Sequence, residues 1–149
     1  MIDGGLEGPA DEPDPLALAA ILCAYALDSA GLGLHHAVCQ TLVRTLGTPH
    51  AETNAVMLPH VVGYVGRHAA EEIGRLAHAL GGAGAGPESA AARVAELSAR
   101  AGVTRLGDLG VHAEAVESVV EAVMRRPEPA TTPGAPGPSD VRELLLAAM

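Results

Sequence analysis

Several residue types are missing or rare in this chain of 149 residues. It has no Phe, no Trp and no Lys, so all nine basic residues are Arg, and only two Tyr are present. A core without large aromatic rings must be packed by Ala, Leu and Val, which allow close helix contacts but bury little area each. We therefore expect modest stability unless a partner covers additional surface.

Basic charge is scarce as well. The formal net charge is -9, and the arginines form no cluster. This argues against binding to nucleic acid or to anionic membranes, which both require a concentrated basic surface. The N-terminus lacks the basic segment of a signal peptide, and the apolar run from 16 to 27 is shorter than the roughly 20 residues of a membrane span. These features predict a cytoplasmic protein.

The only cysteines are Cys23 and Cys39, and both lie in apolar segments that are predicted to be helical. Their spacing matches no common zinc-binding pattern. We expect buried free thiols rather than a disulfide.

No stretch of the sequence alternates apolar and polar residues for long enough to predict a strand, so the fold is predicted to be an all-α bundle. Residues 1–14, rich in Gly, Pro and acidic residues, are typical of a disordered tail. Residues 15–149 are predicted to form a single helical domain, with a Pro/Gly-rich linker over 127–138 before a short last helix that Ser139 caps. Earlier helices are predicted at about 15–29, 34–46 (ended by Gly47), from 53 across Pro59, 67–80, 87–101 and 112–126.

Three of the seven histidines flank one predicted helix. His36 and Gln40 are four residues apart and share a helical face, with His35 beside them. His50 lies in the following turn, which folds back toward that helix. Imidazole is the most common protein ligand of transition metals. Spacing alone leaves metal binding and a structural role both open.

The stretch 31–60 resembles the signature of iron-containing alcohol dehydrogenases, which share a fold with dehydroquinate synthase. A Gly-rich start is followed by a helix that has the first histidine of the family's His-x-x-x-His pattern, then by Pro-His, Asn-Ala and Leu-Pro-His. The pair His35-His36, Cys39 and the run 49–53 are similar to the maleylacetate reductase branch. The likeness covers roughly 16–149 and includes a terminal Val-Arg-x-Leu-Leu helix.

This resemblance implies the C-terminal helical domain of such an enzyme, without its N-terminal α/β nucleotide-binding domain. It makes His36 the first and His50 the second histidine ligand of iron or zinc. Gln40 takes the place of a family histidine near the substrate and the nicotinamide. An amide can hydrogen-bond there but cannot act as an acid or base near neutral pH. The candidate catalytic residues are therefore His36, Gln40 and His35.

The metal assignment is conditional, because a catalytic metal usually has about three protein ligands. Asp28, His35 or Glu52 could supply a third. A second family pair, spaced Asp-x-x-x-His, belongs to an upstream helix that this chain does not contain. The similarly spaced Asp108 and His112 lie in a predicted turn, where capping and surface roles fit better.

No residue is predicted to bind a nucleotide. The pair Gly31 and Gly33 is not a dinucleotide fingerprint, because no strand precedes it. NAD(P) is expected only if a separate nucleotide-binding domain is supplied, since hydride transfer needs the cofactor.

Three functions remain open at this point. The first is the helical substrate and metal domain of a maleylacetate-reductase-like, NAD(P)-dependent oxidoreductase, incomplete on its own. The second is a stand-alone non-redox domain that uses the same pocket for lyase, isomerase or cyclase chemistry or for ligand binding. The third is a dimeric scaffold. The expected partners are a small-molecule substrate and either a second copy of the chain or a complementing nucleotide-binding subunit.

Overall fold

A computed structural model describes residues 14–81, 86–100 and 102–149. Within these residues the chain forms helices and connecting segments without any strand, which confirms the all-α prediction. The helices are α1 (Pro15–Ala30), α2 (Leu34–Leu46), α3 (His50–His68), α4 (Ala70–Ala79), α5 (Pro87–Ala99), α6 (Val116–Met124), α7 (Glu128–Thr131) and α8 (Pro138–Ala147). Two 3₁₀ turns, Gly107–Leu109 and Ala113–Ala115, precede α6.

The helix ends show which sequence signals were sufficient. Gly47 ends α2 as expected, with a left-handed φ of 71° and its N–H bonded to Val43 O. Helix α3 begins at His50 rather than Thr53, because Pro49 is the N-cap and its carbonyl accepts from Thr53 N at 3.0 Å. The helix then continues through Pro59 to His68.

The cap of the last helix was predicted wrongly. Gly137 is the N-cap of α8, so Ser139 lies inside the first turn. Asp140 Oδ2 accepts from Gly137 N at 2.8 Å, and this carboxylate satisfies the free N–H at the helix start.

Tertiary contacts divide the chain into residues 1–32 and 33–149. The sequence predicted one domain over 15–149, and that organisation stays a prediction. Of the predicted disordered tail 1–14, residues 1–13 lie outside the described residues. Asp14 is the N-cap of α1, where its Oδ1 accepts from Leu16 N at 2.9 Å.

In the first unit, α1 has no buried residue. Its apolar sequence predicted burial on all faces, and Cys23 was predicted to be buried, but both are exposed. The exposed large apolar side chains are Leu16, Leu18, Ile21, Leu22, Tyr25 and Leu27. Helical periodicity identifies the apolar faces of a helix, but it does not identify which other surface buries those faces.

In the second unit, one core is formed where α2, α3, α6 and α8 meet. Its largest fully buried side chains are Tyr64, Leu34, Leu42, Met57, Leu106 and Leu145. A smaller cluster of Val62, Ala77 and Ala90 joins α3, α4 and α5. Tyr64 is the one aromatic ring in this core, so valine, leucine and alanine do most of the packing, as the composition predicted.

The predicted linker 127–138 contains ordered helical structure. It includes the single turn α7, which packs against α2, and it buries Pro129 and Thr132. Arg126 and Glu128 at its start form an ion pair. This segment reaches the first turn of α2, where the candidate histidines lie.

Among the described residues, no single helix combines the length and the apolar composition needed to cross a bilayer. The consecutive pair α1 and α2 meets that test only when both helices are taken together across the break between them.

Candidate functional site

The candidate residues lie where the start of α2 meets the start of α3. We call His35, His36, Gln40 and His50 the histidine corner. His35 and His36 occupy the first turn of α2, Gln40 lies one turn later, and His50 is the first residue of α3. The α2 residues are half-buried and His50 is exposed. The short connection after Gly47 folds α3 back onto α2, so the four residues come from two packed helices.

His35 joins the two helices directly. Its Nε2 lies 3.2 Å from Asn54 O in α3, and because a carbonyl only accepts, this nitrogen carries the proton. Burial lowers the pKa of His35, although the bond to Asn54 O opposes the shift. The imidazole therefore stays neutral near neutral pH, with Nε2 bonded to the backbone.

The other two histidines of the corner lie within electrostatic range of His35. Positive charge on His36 and on His50 also lowers the pKa of His35, to a smaller extent than burial does. The structure places His35 and His36 in the first turn of α2 and His50 at the start of α3, which packs on α2. That a histidine of α2 and His50 converge on one ion stays a prediction. Gln40 adds an amide one helical turn beyond His36, on the same face.

Cys39 is buried beneath this corner. Its Sγ lies 3.5 Å from His35 Nε2 and 3.8 Å from Thr53 O, to which the thiol donates. Burial raises the pKa of Cys39 to about 12. A protonated, buried thiol is a poor nucleophile near neutral pH, which fits the packing role expected of Cys39. It is a free thiol, which agrees with the expected absence of a disulfide.

The start of α3 is held by polar contacts around a buried hydroxyl. Thr53 Oγ1 lies 2.6 Å from Pro49 O and 2.8 Å from Thr48 Oγ1. Asn54 Nδ2 donates to His50 O at 2.6 Å. These bonds fix the backbone of His50 while its imidazole remains exposed, as a binding residue requires.

The donor set for a metal is incomplete. Within 14–81, 86–100 and 102–149, no three His, Cys, Asp or Glu side chains lie together in an arrangement that could hold one metal ion. His36 and His50 offer two imidazoles, which suit a transition metal, but about three protein ligands are needed. Of the proposed third ligands, His35 lies nearby but directs Nε2 to Asn54 O.

A charged pair beside the corner was not predicted from the sequence. Arg126 and Glu128 form a two-point ion pair, with Nη2 to Oε1 at 2.5 Å and Nε to Oε2 at 3.3 Å. The Arg126 hydrogen bond lowers the pKa of Glu128, and positive charge on His36 lowers it slightly further. The sequence signal for this ion pair was the presence of two opposite charges two residues apart in a Pro-rich segment.

The remaining histidine candidates lie elsewhere. His60 is half-buried in α3, and burial lowers its pKa. His68 stacks on Tyr64 with ring centroids 4.7 Å apart. His78 is exposed on α4, in agreement with its prediction as a solvated residue. Asp108 and His112, the pair with metal-ligand spacing, are both exposed beside the 3₁₀ turns.

Comparison with known proteins gives the corner a family context. Residues 7–149 match the model of the Fe-containing alcohol dehydrogenase family, C-terminal. The chain is similar to the maleylacetate reductase of Burkholderia cepacia, with 34% identity over 115 residues, covering 76% of this chain and 31% of that protein.

Solved structures agree with this match. The maleylacetate reductase of Rhizobium sp. superposes with a TM-score of 0.68 and 32% identity, covering 80% of this chain and 32% of that one. A 1,3-propanediol oxidoreductase superposes with a TM-score of 0.83 and 27% identity, covering 90% of this chain and 37% of that one.

The chain thus spans about a third of the length of the relatives it matches. The match runs through the histidine corner and the helices that position it. The chain belongs to the Fe-containing alcohol dehydrogenase family, whose C-terminal helical domain it matches, and it is similar to several curated maleylacetate reductases.

Proposed function

We propose that this helical domain is the substrate and metal domain of a maleylacetate-reductase-like, NAD(P)-dependent oxidoreductase. The observation that carries the proposal is that the first turn of α2, with His35 and His36, packs against the start of α3, which begins at His50, in a domain that matches the family. The nicotinamide would bind to an α/β nucleotide-binding unit, either in the same polypeptide or in a separate subunit. The missing metal ligands would come from the upstream helix that carries the family's Asp-x-x-x-His pair.

Each residue of the corner would have a distinct task. His36 and His50 supply two imidazoles to a metal ion that, when bound, polarises a substrate oxygen. Gln40 donates a hydrogen bond to the substrate and transfers no proton. His35 is a positioning residue, because its Nε2 bond to Asn54 O holds the first turn of α2 against α3. Since the described residues supply an incomplete donor set, the corner would need further ligands, such as the Asp-x-x-x-His pair of the family's upstream helix, before it could hold a catalytic metal.

Iron is the metal we propose, since the matching family is named for it. The zinc alternative gains no support from the relatives. We further propose a cytoplasmic protein that acts on a small molecule and works as a homodimer or with a complementing nucleotide-binding subunit.

A stand-alone, non-redox function is the second candidate. Two observations favour it: Gln40 replaces the family's histidine, and the described residues supply two rather than three metal ligands. In this case the corner would bind a small organic molecule through imidazole and amide hydrogen bonds and would need neither metal nor nucleotide.

One experiment separates the candidates. The purified chain is loaded with ferrous iron under anaerobic conditions, and bound iron and NADH are measured for the wild type, His50→Ala and His78→Ala. His78 is exposed on α4, so its replacement controls for the loss of any surface histidine. The same proteins are then mixed with a separately produced nucleotide-binding domain from a maleylacetate reductase, and NADH oxidation by maleylacetate is followed.

The oxidoreductase proposal expects weak iron binding that is lost in His50→Ala and kept in His78→Ala. It also expects NADH oxidation only after the nucleotide-binding domain is added. Equal iron binding in all three proteins, together with no oxidation in the mixture, would overturn it and leave the non-redox candidate.

A further inference from the structure

The first turn of α2 carries two of the three histidines of the corner, His35 and His36, but has no side-chain cap of its own. Its N-cap is Gly33, which has no side chain to accept from the free N–H groups at the helix start. The first intrahelical bond is Ala37 N to Gly33 O at 3.2 Å. Leu34 N, inside this turn, instead donates to Thr132 Oγ1 at 2.8 Å, in a buried bond that joins residues 98 positions apart.

The Thr132 hydroxyl acts both as an acceptor and as a donor in this arrangement. It accepts from Leu34 N and donates to Glu128 O at 2.9 Å, and the residue is only 7% exposed. A Cβ added to Gly33 would lie 3.3 Å from Thr132 Oγ1, which is closer than an ordinary contact. A side chain at Gly33 would therefore require the hydroxyl to move by a few tenths of an ångström.

The same segment is held in place at its start. The Glu128 carboxylate is paired with Arg126, and the Glu128 carbonyl accepts from Thr132 Oγ1. Glu128 thus orients the hydroxyl that caps α2, and Arg126 holds Glu128.

We infer that Thr132 is a positioning residue of the histidine corner: it caps α2 from a distant part of the chain and thereby fixes the turn that carries His35 and His36. The inference rests on the proposed function of this corner. It assigns Thr132 no contact with substrate.

The test compares three variants of the full chain. Thr132→Val keeps the shape but removes the hydroxyl, and Thr132→Ser keeps the hydroxyl. Thr131→Val is the matched control, because the exposed Thr131 also donates to Glu128 O, at 3.0 Å, but caps nothing in α2. Amide hydrogen exchange at Leu34 and Ala37 is compared with exchange in α6, and the ring resonances of His36 are recorded at one fixed pH.

Thr132→Val is expected to speed exchange at Leu34 and Ala37 about fivefold relative to α6, the factor that the loss of a typical cap implies. It should also move the His36 ring resonances. Thr132→Ser should restore both readouts, and Thr131→Val should change neither. Uniform acceleration across α2 and α6, an unchanged His36 ring, or an equal effect of Thr131→Val would each overturn the inference.

None of these readouts needs a metal, a nucleotide or a substrate. A chain that binds no iron would therefore refute the proposed function and still show the local effect of the cap. Conversely, intact iron binding with no change at Leu34 would refute the cap alone.

Discussion

Leu145 and Leu146 are adjacent in α8 and offer the sharpest test of the core. Replacement by alanine should cost much unfolding free energy at Leu145 and almost none at Leu146. Leu145 is 1% exposed and Leu146 is 51% exposed. Leu145→Ala removes apolar atoms from the close-packed core of α2, α3, α6 and α8 and leaves a cavity, which costs about 2–5 kcal/mol of unfolding free energy. Leu146→Ala removes atoms that already contact water, so its effect should stay within about 0.5 kcal/mol.

The comparison cancels the difference in helix propensity between Leu and Ala, since both changes replace Leu with Ala inside the same helix. The chain has no Trp, so urea unfolding should be followed by far-UV circular dichroism, with equal m values as the check that both variants unfold the same surface. Equal losses in the two variants, or a larger loss for Leu146→Ala, would mean that α8 packs on the core through a different face.

Three further predictions use the same logic of matched sites. A thiol reagent at mildly alkaline pH should modify the exposed Cys23 quickly. Cys39 has its pKa raised to about 12, so it should react about a thousandfold more slowly than an ordinary thiol until the protein is unfolded. Rapid loss of both thiols in the folded protein would contradict this prediction. Gly134→Ala should lower the unfolding free energy more than Gly110→Ala. Both glycines have a positive φ, which costs about 1–2 kcal/mol for alanine, but only at Gly134 would the new Cβ meet another side chain, the His68 ring at 2.5 Å. Adding His68→Ala should remove the difference between the two variants in denaturant melts. Burial lowers the pKa of His60 in the folded state, so the unfolded chain binds more protons than the folded chain below about pH 6.5. The unfolding free energy should therefore fall as the pH decreases from there toward the lower folded-state pKa. The His60→Gln variant should show a shallower decline over that range.

Local signals in the sequence were enough for most of the helices. Gly47 ends α2 because only a left-handed residue allows that cap, and Pro87 opens α5 because its fixed φ suits a first helical position. His36 and Gln40 share a face because of helical periodicity alone. Each of these features depends on neighbours within a few residues, so it could be predicted without the tertiary structure.

The features that were missed depend on distant contacts. Cys23 was expected to be buried because α1 is apolar, but burial depends on which surface covers a helix. No periodicity relates Thr132 to Leu34, so their hydrogen bond could not be predicted and the segment 127–138 was taken for a simple linker. Pro49 as the N-cap of α3 was missed because proline has no side-chain acceptor, so the sequence pattern placed the helix start at Thr53.

The bond between Leu34 and Thr132 also has a consequence for the order of folding. Helices α2 and α3 are adjacent in sequence and can pair early, since closing a short loop costs little entropy. The cap of α2 must wait until almost a hundred further residues have been placed, and contacts of such separation form late. During synthesis or refolding, α2 and α3 would therefore pair before the first turn of α2 is capped. A capped turn would then mark the completion of the C-terminal segment, and any chain interrupted before Thr132 would carry His35 and His36 on an uncapped turn.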